Sequence, residues 1–234
     1  MKVIHLVLFF FSNLIFSQAD LINAKKPADA ENKALNSVNT LVYEDVDEND
    51  ILWSKVVYEY IDLDERLNFP LLFPITDDVN KIGRKSLWRT IKEYLVKKID
   101  NKEEIEVYSE DNFSSYEKLT HQQVLDQMSY EFNNRKENKI TREYIQSQSI
   151  GGYNIKGIWY FDKKVSQLKY RLLGIQPVAA SINDLKDEKN NPELNSTVFW
   201  IWYPSIREEL NNYLVFNDRN NNNRISFDAI LVNR

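Results

Sequence analysis

Polar and apolar residues alternate most regularly between Ile155 and Ala179. Ile155, Gly157, Trp159 and Phe161 take one side of a two-residue repeat, and Lys156, Ile158, Tyr160 and Asp162 the other. After the polar stretch Asp162-Lys163-Lys164-Val165-Ser166-Gln167 the alternation resumes, with Leu168, Tyr170 and Leu172 against Lys169, Arg171 and Leu173. Period-two patterning rich in aromatic and β-branched residues marks strands, and turn chemistry between two such runs predicts an antiparallel hairpin. Thr197 to Tyr203 is apolar on both faces, as in a central strand covered from two sides. A short strand is expected at Ile105 to Tyr108.

Helical spacing predicts the cover for these strands. Leu52, Trp53, Val56, Val57, Tyr60 and Ile61 follow it across residues 49–62. The acidic run Glu44 to Asp50 ahead of them suits a helix cap and the positive end of a helix dipole. Leu87, Trp88, Ile91, Tyr94 and Leu95 form one face of a second helix over 86–98, with Lys97 and Lys98 at its negative end. Thr120 and Gln123 make a capping-box pattern ahead of Val124, Leu125, Met128 and Phe132, predicting a third helix over 121–134. Pro204 and Ser205 open a further helix through Arg207, Glu208 and Leu210, and Ser226 is placed to cap a last one. Pro70 and Pro74 favour an extended path after Asp62, and 181–196 reads as a loop. The expected class is α+β: an antiparallel sheet built on the aromatic hairpin at 155–175 and the strand at 197–203. The helices at 49–62, 86–98 and 121–134 would cover it.

The first residues change the compartment. Lys2 precedes an almost wholly apolar run from Val3 to Phe16, and Ser17-Gln18-Ala19 offers small residues where a signal peptidase cuts. A run of about 14 residues is short for a bilayer span of ~20 residues, so residues 1–19 are expected to be a cleaved signal peptide. Residues 20–45 are weakly patterned and predict a flexible arm, leaving 46–234 as a single domain. The chain has no cysteine, so the exported domain has no disulfide to hold it and no acceptor for an N-terminal lipid. Without Lys2, 29 basic residues face 35 acidic ones, a net charge of −6 that argues against nucleic acid or anionic lipid as partner. Thirteen Tyr, twelve Phe and five Trp are ample for a core and leave a surplus suited to large interfaces.

Most catalytic chemistry is excluded by what is missing. With His121 the only histidine past the signal and no cysteine, zinc sites and thiol nucleophiles are ruled out, and His121 sits on a capped helix start. None of the five glycines builds a phosphate-cradling loop, and no cofactor is expected. Asp62, Asp64 and Glu65 are close in sequence, but glycosidase chemistry needs carboxylates on opposite sides of a cleft. Asp218 to Ala229 imitates an EF-hand loop, yet Asn223 replaces its glycine and Ala229 its bidentate acid. A run of solvated acids at a helix start accounts better for Glu44 to Asp50 than a calcium site does.

Five stretches carry a resemblance. They are ILWSKVVYEYIDLDERLNFPL at 51–71, IEVYSEDNF at 105–113, GIWYFDKKVSQLKYRLLGIQPVA at 157–179, FWIWYPSIREEL at 199–210 and NRISFDAI at 223–230. In that order they resemble the GldN/PorN family of the type IX secretion and gliding motility machinery of Bacteroidetes. Members of that family often continue beyond the last block with a basic, aromatic tail, whereas this chain stops at Arg234. The resemblance implies a non-enzymatic periplasmic scaffold without catalytic residues. It implies association with an outer-membrane lipoprotein of the GldK/PorK type, and self-association in a ring at the outer membrane. It further implies contact with the periplasmic part of an inner-membrane-anchored motor protein of the GldM/PorM type. Aromatic content then nominates Trp159, Tyr160, Arg171, Trp200 and Trp202 as interface residues. A competing expectation is a ligand- or glycan-binding module with Trp159, Trp200 or Trp202 as an exposed stacking platform.

Overall fold

The computed structural model describes residues 43, 45–76, 85–134, 139–187, 189, 192–215 and 225–232. The expected signal peptide, nearly all of the expected arm and the Asn-rich part of the EF-hand-like run lie outside the described residues. Among those described, no helix is long and apolar enough to cross a membrane.

In chain order the elements are β1 (Ile51–Asp62), α1 (Phe69–Leu72), α2 (Leu87–Asp100), β2 (Val107–Tyr108), α3 (His121–Met128), β3 (Ser129–Asn134) and β4 (Lys139–Tyr144). The long hairpin β5 (Ile150–Asp162) and β6 (Gln167–Ala179) follows, then α4 (Ile182–Lys186), β7 (Ser196–Thr197) and β8 (Trp200–Trp202). The chain closes with α5 (Tyr203–Asn212), β9 (Leu214–Val215), β10 (Ile225–Ser226) and α6 (Phe227–Val232). The main sheet is antiparallel in the order β1-β5-β6-β8-β2, with β7 against β6. The fold is α+β, as the sequence pattern predicts.

The hairpin forms as expected because its turn is held by Asp162. The carboxylate of Asp162 accepts from the backbone N–H of Lys164 at 3.0 Å and of Val165 at 3.3 Å, and from Lys169 Nζ at 3.1 Å. Ser166 completes the turn at φ 54°. Further along, the register slips between Lys156 and Gly157, so that Leu173 is an extra residue in β6. That bulge lets Leu172 face one side of the sheet while both Leu173 and Gly174 face the other.

The two faces carry two cores. On one, Leu87, Trp88, Ile91 and Leu95 of α2, Val124 and Met128 of α3, Ile206 and Leu210 of α5 and Phe227 and Leu231 of α6 pack on Ile61, Tyr153, Ile155, Leu172, Ile175 and Ile201. On the other, Val46, Tyr108, Phe113, Ile158, Tyr160, Leu173, Trp200 and Trp202 form a smaller aromatic cluster. Phe113 is its hub, at φ 54°, with its ring edge-on to Tyr108, Trp200 and Trp202 at centroid distances of 5.5, 6.3 and 4.9 Å. Gly174 leaves room for it, since a Cβ there would lie 2.4 Å from Phe113 Cζ. The strand expected at 197–203 is therefore central and covered on both sides, although it is split into β7 and β8, and Tyr203 already starts α5.

Four expectations are corrected. Residues 51–62, read as a helix from 49 to 62, form β1: Val56, Val57, Tyr58, Tyr60 and Ile61 are β-formers, and the segment pairs antiparallel with β5 from Ile51 to Asp62. The predicted cap survives in reduced form, with Asp47 accepting from Asn49 N at 2.9 Å to hold a single turn at Glu48–Asp50. The helix expected over 121–134 has its capping box at Thr120 and Gln123, but it ends at Met128. Ser129 Oγ returns to the Leu125 carbonyl at 2.5 Å, and the chain leaves as β3 paired with β4. Pro70 and Pro74 do not hold the whole of 62–74 extended, because Pro70 sits in the first turn of the short α1, where its missing N–H costs nothing. The expected loop at 181–196 contains α4, capped by Ser181 Oγ accepting from Asp184 N at 3.1 Å. Ser226 caps α6 as predicted, accepting from Ala229 N at 3.1 Å.

Candidate functional site

The candidate acids of the sequence are used locally. Asp62 accepts from Asp64 N at 2.9 Å to turn the chain as it leaves β1, and Glu65 accepts from Asn68 Nδ2 at 3.3 Å. An open depression of about 440 Å³ runs along α2 past Lys92, Lys97, Asp100 and Tyr144, and none of these three acids lines it. His121 pairs through Nε2 with the Glu103 carbonyl at 2.9 Å. Among the described residues no three His, Asp or Glu side chains gather where a metal could sit.

Four of the five nominated interface residues are interior. Trp200 and Trp202 lie in the aromatic cluster, and Tyr160 and Arg171 are 2% exposed. A platform built on Trp200 or Trp202 is thus closed from solvent. Arg171 instead holds the domain's N-terminal edge. Its guanidinium lies 4.4 Å from the centre of the Tyr43 ring and 5.6 Å from that of Tyr160. Tyr43 is also met by Arg207 at 4.1 Å and donates to the Leu172 carbonyl at 3.2 Å. Two planar cations on one phenol ring is a strong pattern when desolvated. Burial lowers the Arg171 pKa and pushes the Tyr43 phenol well above its ordinary range. Asp228 anchors the group, accepting from both Arg207 Nε and Tyr203 Oη at 2.8 Å. In the sequence Asp228 stands out only as part of the EF-hand-like run, and nothing local to it signals its partners Tyr203 and Arg207, which lie more than 20 residues away.

Trp159 has a different setting. Opposite residues in an antiparallel ladder share a face, so the pairings place Trp53, Phe161 and Leu168 in one row and Lys55, Trp159 and Tyr170 in the next. This is the helix-bearing side, at the turn end of the hairpin. Trp53 is 49% exposed and Leu168 55%, while Trp159, Phe161 and Tyr170 are half-buried. The Trp159 and Tyr170 rings meet at 5.1 Å with a 47° tilt, and Tyr170 covers Gly157 so closely that a Cβ there would be 2.1 Å from its Oη. The result is a three-stranded apolar face with a preset surface. Trp53 could not be assigned to it from the sequence, because its segment satisfies helical spacing as well.

The opposite side of β1 is polar and electrostatically tied. Tyr58 Oη donates to Asp111, whose carboxylate also meets Lys156 Nζ at 3.2 Å. Burial would raise the Asp111 pKa, but the Tyr58 hydrogen bond and Lys156 outweigh it and hold the group below the usual carboxylate range. Burial, then the bond to Asp111, pushes the Tyr58 phenol up to about 12. A depressed carboxylate contributes stability above its unfolded pKa, lost as pH falls through the folded value; a raised phenol contributes stability below about 10, lost as pH rises through about 12. Tyr58→Phe should therefore flatten both limbs of a stability–pH profile. Solvent screening at this exposed residue keeps the loss near neutral pH to about 0.5–1 kcal/mol. Urea unfolding across pH 2 to 12 would show it; unchanged limbs would mean the pair contributes nothing.

Fold and surface together define an α+β domain that presents an aromatic sheet face to its surroundings. A family model for the gliding motility associated protein GldN matches residues 46–234, and the chain belongs to that family. The family is a structural component of gliding motility rather than one known for an enzyme activity. No curated protein matches the chain.

Proposed function

We propose that the protein is a non-enzymatic periplasmic scaffold of the type IX secretion and gliding motility machinery. In this reading it joins an outer-membrane lipoprotein of the GldK/PorK type in a ring and couples that ring to an inner-membrane-anchored GldM/PorM-type motor protein. The observation that carries the reading is the aromatic face of Trp53, Trp159, Phe161, Leu168 and Tyr170, on a domain of the GldN family. Exposed aromatic residues on a rigid sheet, flanked by polar turns, supply contact area at little entropic cost and form the usual centre of a protein interface. The face is too open to enclose a small molecule, and Trp200 and Trp202, two of the three tryptophans nominated as alternatives for a glycan platform, are buried.

Affinity recovery of the tagged mature protein from native membranes, read by mass spectrometry, tests the role. Recovery of an outer-membrane lipoprotein and of a membrane-anchored protein with a large periplasmic region is expected. Leu168→Asp should leave folding unchanged, since Leu168 is exposed, and reduce recovery of at least one of the two about tenfold or more, the cost of a charge in an interface core. Recovery of neither protein by the folded wild type would overturn the proposal.

A further inference from the structure

We infer that the protein segment docking on the aromatic face is acidic: its apolar side chains lie over Trp53, Trp159, Leu168 and Tyr170, and its carboxylates meet Lys55, Lys163 and Lys164. This rests on that face being the docking site, as proposed above, and adds the chemistry of what docks there. Lys55 is exposed and stands in one row of the face, beside Trp159 and Tyr170. Lys163 and Lys164 are both exposed in the turn that closes the face beyond Phe161 and Leu168. Cations therefore bound the apolar surface on two sides, in a chain whose net charge is −5.

The acids nearest in the chain are held elsewhere. Asp162 lies on the other side of the sheet, with Tyr160, where Lys169 Nζ and the N–H groups of Lys164 and Val165 occupy its carboxylate. Asp50 meets the turn through its carbonyl, which accepts from Lys163 N at 2.8 Å. Glu59 shares the side of Lys55 but lies four residues along β1, roughly 13 Å away by the strand rise. Among the described residues none of the three lysines is in an ion pair. A basic partner would set like charges against this rim, whereas an acidic one gains paired charge and a steered encounter. An anionic lipid surface offers the same charge but fits less well. Trp159, Phe161 and Tyr170 are half-buried in the sheet face rather than projecting from it, and the chain's net charge opposes the approach.

Carbodiimide crosslinking in native membranes reads the contact directly, because it joins a lysine amine to a carboxylate beside it. Links are expected from Lys55 and from Lys163 or Lys164 to Asp or Glu residues of another protein, and they should disappear in Leu168→Asp. Reversing the three exposed cations together, K55E/K163E/K164E, should leave folding unchanged. It should lower recovery of the protein that Leu168→Asp depletes about tenfold, the sum of three modest ion pairs. A benzophenone amino acid at Leu168 separates the two ways of failing. If it captures a protein, yet no carbodiimide link forms or the triple reversal is recovered like the wild type, the docking site stands and the acidic partner is overturned. No adduct at Leu168 would overturn the docking site and this inference with it. Binding of the wild type to phosphatidylglycerol vesicles, lost in K55E/K163E/K164E, would assign the face to lipid instead.

Discussion

Trp202→Ala is expected to lower the free energy of unfolding by about 3–5 kcal/mol, the range for deleting a large buried aromatic side chain. Trp202 is fully buried, and the site has little means of closing over the loss. Its indole is met by the Phe113 ring at 4.9 Å, while its backbone pairs with Gly174 and its N–H donates to the Glu106 carbonyl at 2.9 Å. Phe113 cannot follow the truncation freely, since it is fixed at φ 54° between Tyr108 and Trp200. The cavity would open in the smaller of the two cores, which joins β2, β8, β6 and the segment at Val46. Urea unfolding with intrinsic fluorescence reads the loss. A change below about 1 kcal/mol, the typical cost of an ordinary substitution, would mean the cluster is not packed as described.

Asp228→Ala is the second large effect, at about 2–4 kcal/mol. Removing one member of a buried, hydrogen-bonded ion pair costs about 3–5 kcal/mol, and the partial exposure of Arg207 reduces that somewhat. The variant takes away the acceptor shared by Tyr203, itself fully buried, and Arg207. Because Arg207 also stacks on Tyr43, the effect should extend to the N-terminal edge of the domain. Limited proteolysis should then cut near Asp45 faster than in the wild type, while Asp228→Asn, which keeps an acceptor, should lose roughly half as much stability. Equal losses for Ala and Asn with no change in cleavage would mean that only packing at residue 228 counts.

These two residues show where the sequence is readable and where it stops. The hairpin was legible to the level of which side chains share a face, because alternation is a local property and the Asp162 turn is contiguous with it. The capping box at Thr120 was legible for the same reason. Which face would be covered was not. The lid over Tyr160, Arg171 and Trp202 is made by Tyr43, Val46 and Phe113, which come from distant segments. Aromatic content therefore nominated buried residues as interface. β1 failed differently: Trp53, Val57 and Ile61 satisfy a four-residue helical spacing and a two-residue strand alternation at once. Only pairing with β5 decides between them, and with it goes the position of Trp53 on the exposed face.

The central claim is that the aromatic face at the turn end of the hairpin is where another protein docks. The most direct test is photocrosslinking in native cells from a benzophenone amino acid at Leu168, with Tyr116, 95% exposed and in the segment leading to α3, as the comparison site. The account predicts a discrete protein adduct from Leu168 and little or none from Tyr116. Adducts from Tyr116 with none from Leu168, in protein that is folded and exported, would contradict it.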